Sequence, residues 1–287
     1  MNDAESRVDI AAWDWGGDGP IALLHHANGL CAATWSLVAE HLSTRYRVVA
    51  IDARGHGDST APPAPDGYRM DFFVADLIAV ARALIAETGR AQIDYGIGSS
   101  FGGIVTAVAE ARSPGLFARI AMLDPPIHPD VALRAQLDPS GGIRDPRPDI
   151  AAQARKRTAI WPSRDAARAA WASKPLFARW QPRAFDLYLA EGMRDRADGQ
   201  VELKCRPDVE ATVFASSGDL DIYAEAPSVR SPALLVRAAR GFLPVQAFDH
   251  LARLLPKCTY VEPDLGHLMP LEAPDETVRL LEGFAAA

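Results

Sequence analysis

The segment Gly98-Ser99-Ser100-Phe101-Gly102-Gly103 carries the sharpest chemical signal in the chain. It follows an apolar run, Ile93 to Gly98, and leads into a helical pattern that begins at Gly103, so its G-x-S-x-G pattern falls on a strand-to-helix bend. In such a bend the flanking glycines allow close backbone approach, and the central residue stands at the helix N-terminus with its side chain presented outward. That residue is Ser100. A serine hydroxyl is a weak nucleophile at neutral pH and requires a base to accept its proton. His267 is the candidate base. Gly266-His267-Leu268 follows the last apolar run and precedes Pro270-Leu271-Glu272-Ala273-Pro274, which opens the final helix, so the imidazole lies on a loop at the sheet edge that holds Ser100.

The elements that must position these two residues follow from hydrophobic patterning. Compact apolar runs at Ile21 to His26, Arg47 to Asp52, Ile93 to Gly98, Ile120 to Asp124, Ala233 to Arg237 and Thr259 to Glu262 suit strands covered on both faces. Between most of them lie helical candidates: Thr34 to Leu42, Met70 to Thr88, Gly103 to Arg112, Pro244 to Leu255 and Pro274 to Phe284. In the second, Phe73, Leu77, Val80, Ala81 and Leu84 recur every three or four residues and form an apolar stripe. Alternation of strand and helix implies right-handed crossovers and a largely parallel α/β sheet. From Pro125 to about Ser231 the strand pattern disappears. That interval reads as helices at Ile150 to Trp161, Ser163 to Ser173 with Ser163 as N-cap, and Pro182 to Met193, and it is expected to sit over the strand ends.

Composition narrows the classes of partner. Thirty Lys and Arg against 37 Asp and Glu leave a net charge of −7, and the basic residues are scattered, which argues against nucleic acid or an anionic membrane as the main partner. No stretch approaches the roughly 20 apolar residues of a membrane span, and Met1-Asn2-Asp3-Ala4-Glu5-Ser6 has neither a basic leader nor an apolar run. A cytoplasmic protein without stable membrane insertion is expected. Cys31, Cys205 and Cys258 are too few and too widely spaced for a disulfide framework or a zinc site, and read as small apolar filler.

With these features in place, the chain resembles an α/β-hydrolase-fold serine hydrolase of esterase or lactonase type over nearly everything but the central insertion. His26-Ala27-Asn28-Gly29, with Trp35 downstream, resembles the family's His-Gly turn before its first helix. Asp52-Ala53-Arg54-Gly55-His56-Gly57-Asp58-Ser59 is similar to its D-x-R-G-x-G-x-S loop. Together with Gly98 to Gly103 and Gly266-His267, these are four matches in the family's order. The resemblance implies a mostly parallel, doubly wound sheet with a helical cap inserted after the sixth strand of the family count: residues 1–126 and 231–287 as core, 127–230 as cap.

The resemblance also implies a complete catalytic set. Family members often carry the acid after the strand written here as Ala233 to Arg237, yet Ala238-Ala239-Arg240-Gly241-Phe242-Leu243-Pro244 has no carboxylate. Some members place the acid on the preceding strand, which here ends in Leu123-Asp124-Pro125-Pro126, so Asp124 takes the role, with Asp219 and Asp221 in reserve. By the same analogy, the N–H groups of Asn28 and Phe101 form the oxyanion site. Arg54 and His56 brace the loop around the site. His25 either lines the pocket or ends its strand. Trp161 and Trp180, with Trp171, Phe177 and Leu187, are candidates for an apolar pocket roof or for cap core, and Arg155-Lys156-Arg157 reads as a solvated helix face or a lure for an acidic substrate. The expected activity is hydrolysis of a small carboxylic ester or lactone without cofactor or metal. Hydrolysis of C–C or amide bonds, and a low-turnover ligand receptor, are the alternatives; the oligomeric state is left open.

Overall fold

The computed structural model describes residues 8–129, 131–141 and 145–286. Strand β1 (Ala12–Asp14) is followed by β2 (Ile21–His25), and α1 (Ser36–Leu42) leads to β3 (Arg47–Ile51). Helix α2 (Met70–Thr88) crosses to β4 (Tyr95–Ser99), and α3 (Phe101–Arg112) crosses to β5 (Ile120–Leu123). The chain then leaves the sheet for α4 (Val131–Leu137), α5 (Arg147–Arg155), β6 (Ile160–Trp161), α6 (Arg164–Trp171) and α7 (Pro182–Glu191). A hairpin of β7 (Met193–Asp195) and β8 (Val201–Leu203) precedes α8 (Pro207–Ser216) and α9 (Ile222–Glu225). It returns through β9 (Ala233–Val236), α10 (Val245–Leu254), β10 (Cys258–Val261), α11 (Met269–Glu272) and α12 (Pro274–Ala286).

Seven strands form one sheet in the order β1-β3-β2-β4-β5-β9-β10, parallel throughout except for β1, which pairs antiparallel with β3. The apolar runs are continuous because each strand divides its residues between two cores. Ile21, Leu23, Ile120, Met122 and Leu235 pack with α2 and α3; Ala22, Leu24, Ala121, Leu123 and Leu234 pack with α1 and α12. The stripe predicted in α2 is buried at Phe73, Leu77, Ala81 and Leu84, and Gly89, at φ 66°, ends that helix in the left-handed conformation.

The long excursion follows β5, the strand that is sixth in the family count. Contrary to the expectation of helices alone, it contains a small antiparallel sheet in the order β6-β8-β7, and the helix anticipated over Ile150 to Trp161 runs instead from Arg147 to Arg155. Strands of two or three residues leave no periodicity to read, and the pairing of β6 with β8 joins segments distant in sequence, as in Trp161 opposite Val201. Ser163 does cap α6, its Oγ accepting the Ala166 N–H at 3.1 Å. Trp171, Phe177, Trp180, Phe185 and Tyr188 build the excursion's own core, which continues into Ala27, Leu30, Leu268 and Leu271 of the main body. That shared cluster anchors the excursion on the Asn28 turn and the His267 loop. Among the described residues no helix is long and apolar enough to cross a membrane.

Candidate active site

The parallel register brings four strand ends to one rim. His25 lies opposite Gly98, Ser99 opposite Leu123, and Leu123 opposite Val236, so β2, β4, β5 and β9 all stop at the same level. Neighbouring strands are about 4.8 Å apart. The residues just past those ends (Asn28, Ser100, Asp124 and Ala238) are therefore delivered to one small region. His267 reaches it on the loop between β10 and α11.

Ser100 Oγ lies 3.0 Å from His267 Nε2, and His267 Nδ1 lies 2.6 Å from Asp124 Oδ2. Asp124 Oδ1 accepts the Ala238 N–H at 2.9 Å. The turn after β9, which lacks a carboxylate, thus supplies a backbone donor to the carboxylate on its neighbour. Asp124 is fully buried and Ser100 nearly so, while the His267 side chain keeps 21% of its exposure. In this geometry the serine hydroxyl can donate to Nε2 only if the Nδ1–H donates to Asp124.

Backbone strain marks the same two residues. Among the described non-glycine residues, positive φ occurs at Ser100 (52°) and Asp124 (47°). Each such conformation costs roughly 1–3 kcal/mol and persists only where the surroundings enforce it. Enforcement at Ser100 comes from its glycines. A Cβ on Gly98 would lie 2.2 Å from the Gly102 carbonyl oxygen, and one on Gly102 would lie 2.3 Å from that of His25. The bend is closed tightly enough that only glycine fits on either side.

Two backbone donors face the site. Phe101 is the first residue of α3, where an N–H has no intrahelical acceptor, and Asn28 sits in the turn after β2; neither N–H has a protein acceptor among the described residues. The Asn28 turn is held from both sides. On the core side, His56 Nδ1 donates to the Arg54 carbonyl and Nε2 accepts the Gly29 N–H at 3.1 Å, while Arg54 itself is buried in a bidentate pair with Asp76. On the other side, Asn28 Nδ2 donates to the Glu210 carbonyl at 3.0 Å, and Tyr188 Oη donates to the Gly29 carbonyl at 3.2 Å. Arg157 ties these last two together, pairing with the Glu210 carboxylate and donating to Tyr188 Oη at 2.9 Å. Arg157 is thus a joint between the excursion and the Asn28 turn, and the solvated reading of its basic cluster does not hold for it.

Buried histidines add a pH dependence to this scaffold. Burial pushes His25 and His56 down to about 4 from an ordinary 6.5, and pushes His26 down as well. Unfolded chains take up these protons as pH falls below 6.5, whereas the folded protein takes them up at lower pH, near 4 for His25 and His56. The unfolded state therefore binds more protons in that window, and stability, fully present above 6.5, is lost as pH falls towards 4. Each histidine contributes a slope of at most about 1.4 kcal/mol per pH unit. Thermal midpoints are expected to fall steadily between about pH 7 and pH 5; a flat profile would contradict buried neutral imidazoles.

A cavity of about 40 Å³ opens beside the nucleophile candidate, lined by Asn28, Ser100, Phe101 and His267, with apolar walls from Ile150, Phe214 and Phe242. One water needs on the order of 10–15 Å³ by this measure, so the space takes a small group. The Phe242 ring lies 5.1 Å from that of His267, centre to centre, and is itself 59% exposed.

The three aromatic or imidazole side chains expected to contact substrate do not line the cavity. His25 is buried, its Nδ1 donating to the His26 carbonyl and its ring packed edge-on against Phe101, so it supports the bend from beneath. Trp161 packs edge-on against Trp171, and Trp180 is buried against Phe177 and Tyr188. Both belong to the excursion's core because large aromatic area is best buried among its own kind there. In their place the cavity wall includes His128 and Arg147, two residues that carried no pattern in the sequence. Asp221 is occupied as the N-cap of α9, and Asp219 is exposed. Among the described residues no three His, Cys, Asp or Glu side chains converge as a metal group.

The sequence profile described as "Alpha/beta hydrolase family" matches residues 22–280. The chain belongs to the alpha/beta hydrolase family. Within it, the chain is 27% identical over 279 residues to N-formylmaleamate deformylase of Pseudomonas putida, covering 95% of this chain and 88% of that protein. It is 34% identical over 130 residues to a non-heme chloroperoxidase of Streptomyces lividans and 34% identical over 136 residues to a bifunctional esterase/perhydrolase of Acinetobacter calcoaceticus. Those two matches cover 44% and 46% of the relatives, so the chain spans less than half of their length. The fold of this alpha/beta hydrolase superposes on that of E-2-(acetamidomethylene)succinate hydrolase with a TM-score of 0.81 at 21% identity, covering 99% of this chain and 97% of the other.

Proposed function

We propose that this alpha/beta hydrolase is a serine hydrolase that cleaves a carboxylic ester or lactone through an acyl-serine intermediate. The observation that carries the reading is the continuous line from Ser100 Oγ through His267 to Asp124, 3.0 Å and 2.6 Å long in its two links. Ser100 Oγ attacks the acyl carbon as its proton passes to His267 Nε2, and Asp124 balances the imidazolium that forms. The carbonyl oxygen becomes negative and meets the N–H groups of Phe101 and Asn28. Collapse of the tetrahedral species transfers the His267 proton to the leaving alkoxide. Water then enters along the same path and attacks the acyl carbon as it gives a proton to His267; the acid leaves as that proton returns to Ser100 Oγ. The three unpaired cysteines fit a reducing compartment, and we assign the enzyme to the cytoplasm.

Similarity to N-formylmaleamate deformylase along 95% of this chain favours a second reading, hydrolysis of an N-acyl bond by the same residues. The two readings differ in the leaving group, amine against alcohol, and product analysis on matched esters and amides separates them.

A fluorophosphonate probe tests the shared core of both. The expected result is rapid, stoichiometric phosphonylation of Ser100, located by peptide mass, with no other site modified. Slow or absent labelling of folded protein would reject an activated serine and favour a ligand receptor.

A further inference from the structure

We infer that Arg147 and His128 form an anion subsite in the substrate cavity, and that the enzyme acts on small acyl compounds bearing a free carboxylate. The inference rests on the serine-hydrolase reading, since it places the carboxylate on the acyl group presented to Ser100.

Arg147, the first residue of α5, and His128, in the segment after β5, line the same cavity as Ser100, Asn28 and His267. One edge of the guanidinium is committed: Nε and Nη2 donate to the two oxygens of Asp145 at 2.9 Å and 2.7 Å. Its Nη1 makes no hydrogen bond among the described residues. Gly218 leaves room for that nitrogen, because a Cβ there would lie 1.9 Å from it. The guanidinium is therefore fixed by one carboxylate while its third nitrogen keeps its donors, an arrangement suited to a ligand anion.

The surrounding charge agrees. A second guanidinium, that of Arg134, lies 3.7 Å from the same Asp145 carboxylate, so Arg147 does not have that anion to itself. The Arg147 pairing holds Asp145 down to about 2, which keeps it an acceptor rather than an acid. Asp219 also acts on Arg147, but from an exposed position where solvent screens it. His128 makes no hydrogen bond among the described residues, and burial, with Arg147 beside it, pushes it down to about 4. At neutral pH it presents an uncharged N–H, a second donor for the same anion. Most of the remaining wall, including Pro126, Ile150, Val213 and Phe214, is apolar, and the one other hydroxyl there, that of Ser217, donates to the Phe214 carbonyl at 2.9 Å, so the wall suits a short carbon chain between the two ends.

The test compares the p-nitrophenyl ester of succinic acid, which keeps a free carboxylate, with its neutral methyl ester analogue. The native enzyme should prefer the anion in kcat/KM, and Arg147→Gln should reduce that preference on the order of 10–100-fold, the usual effect of a hydrogen bond to a charged group. Arg147→Lys should restore part of it. Because both substrates report on the same active fraction, partial misfolding leaves the ratio unchanged. Hydrolysis of both esters with no preference for the anion, or a preference that survives Arg147→Gln, would overturn the subsite while leaving the hydrolase reading intact. If neither ester is cleaved, the hydrolase reading falls, and binding decides the subsite. Succinate should raise the thermal midpoint of Ser100→Ala and fail to do so once Arg147→Gln is added; no stabilisation of Ser100→Ala would overturn the subsite.

Discussion

Ser100→Ala is expected to lower kcat on p-nitrophenyl esters by about 10⁶-fold, leaving only the residual rate that binding and two backbone donors provide. The size of the effect follows from what the substitution removes. In the proposed mechanism Oγ is the attacking atom, and its hydrogen bond to His267 Nε2 is the route by which its proton leaves. Without it, water has to be both positioned and deprotonated by an imidazole whose partner is gone. Stability should change little, because the bend is enforced by the glycines around Ser100 rather than by its hydroxyl. Steady-state kinetics with circular dichroism on the same preparation check both halves. A variant retaining more than about a hundredth of native kcat would remove Ser100 from the chemistry.

The second large effect is expected at Asp124. Asp124→Asn should lower kcat by about 10⁴-fold with the fold retained. Asparagine has the same shape and tolerates positive φ better than most residues, so the strained backbone at 47° can persist. Its orientation is dictated by Ala238, whose N–H requires an oxygen at the Oδ1 position. The amide nitrogen then occupies the Oδ2 position and points its hydrogens at His267 Nδ1. An imidazole facing a donor at Nδ1 carries its own hydrogen on Nε2, where it cannot take the proton of Ser100. The variant should still label slowly with fluorophosphonate and bind substrate with an ordinary KM. A loss smaller than about tenfold would mean that another carboxylate serves the imidazole, and would contradict the buried 2.6 Å contact.

The origin of each feature separates along a physical line. Short-range patterns were legible from the chain alone. The glycines on either side of Ser100, the apolar runs that become β2 to β5, β9 and β10, the stripe of α2 and the Ser163 cap all express steric and solvation preferences of residues and their immediate neighbours, which act wherever the chain goes. Parallel strands of similar length then carry their end residues to one rim almost by necessity, so the sequence places Ser100 and His267 at a common edge. The resemblance to the family, together with the need of His267 Nδ1 for an acceptor, points to Asp124.

Tertiary structure decided the rest, because side-chain destination depends on neighbours distant in sequence. Whether His25 faces a pocket or a core turns on the His26 carbonyl and the Phe101 ring that its imidazole meets, and Trp161 and Trp180 lie in a core because α6, α7 and a three-stranded sheet close around them. Arg147 carries no pattern in the sequence, and its place is settled where the segment carrying Gly218, 71 positions away, packs beside its guanidinium and Asp145 fixes one edge. Arg157 looks solvated until Glu210 and Tyr188 surround it. Bond geometry and local hydrophobicity propagate only a few residues along the backbone, whereas charge pairing and packing are settled by contacts that exist once the chain has folded. The candidate reacting groups are therefore legible in one dimension, whereas the cavity beside them comes into being only in three.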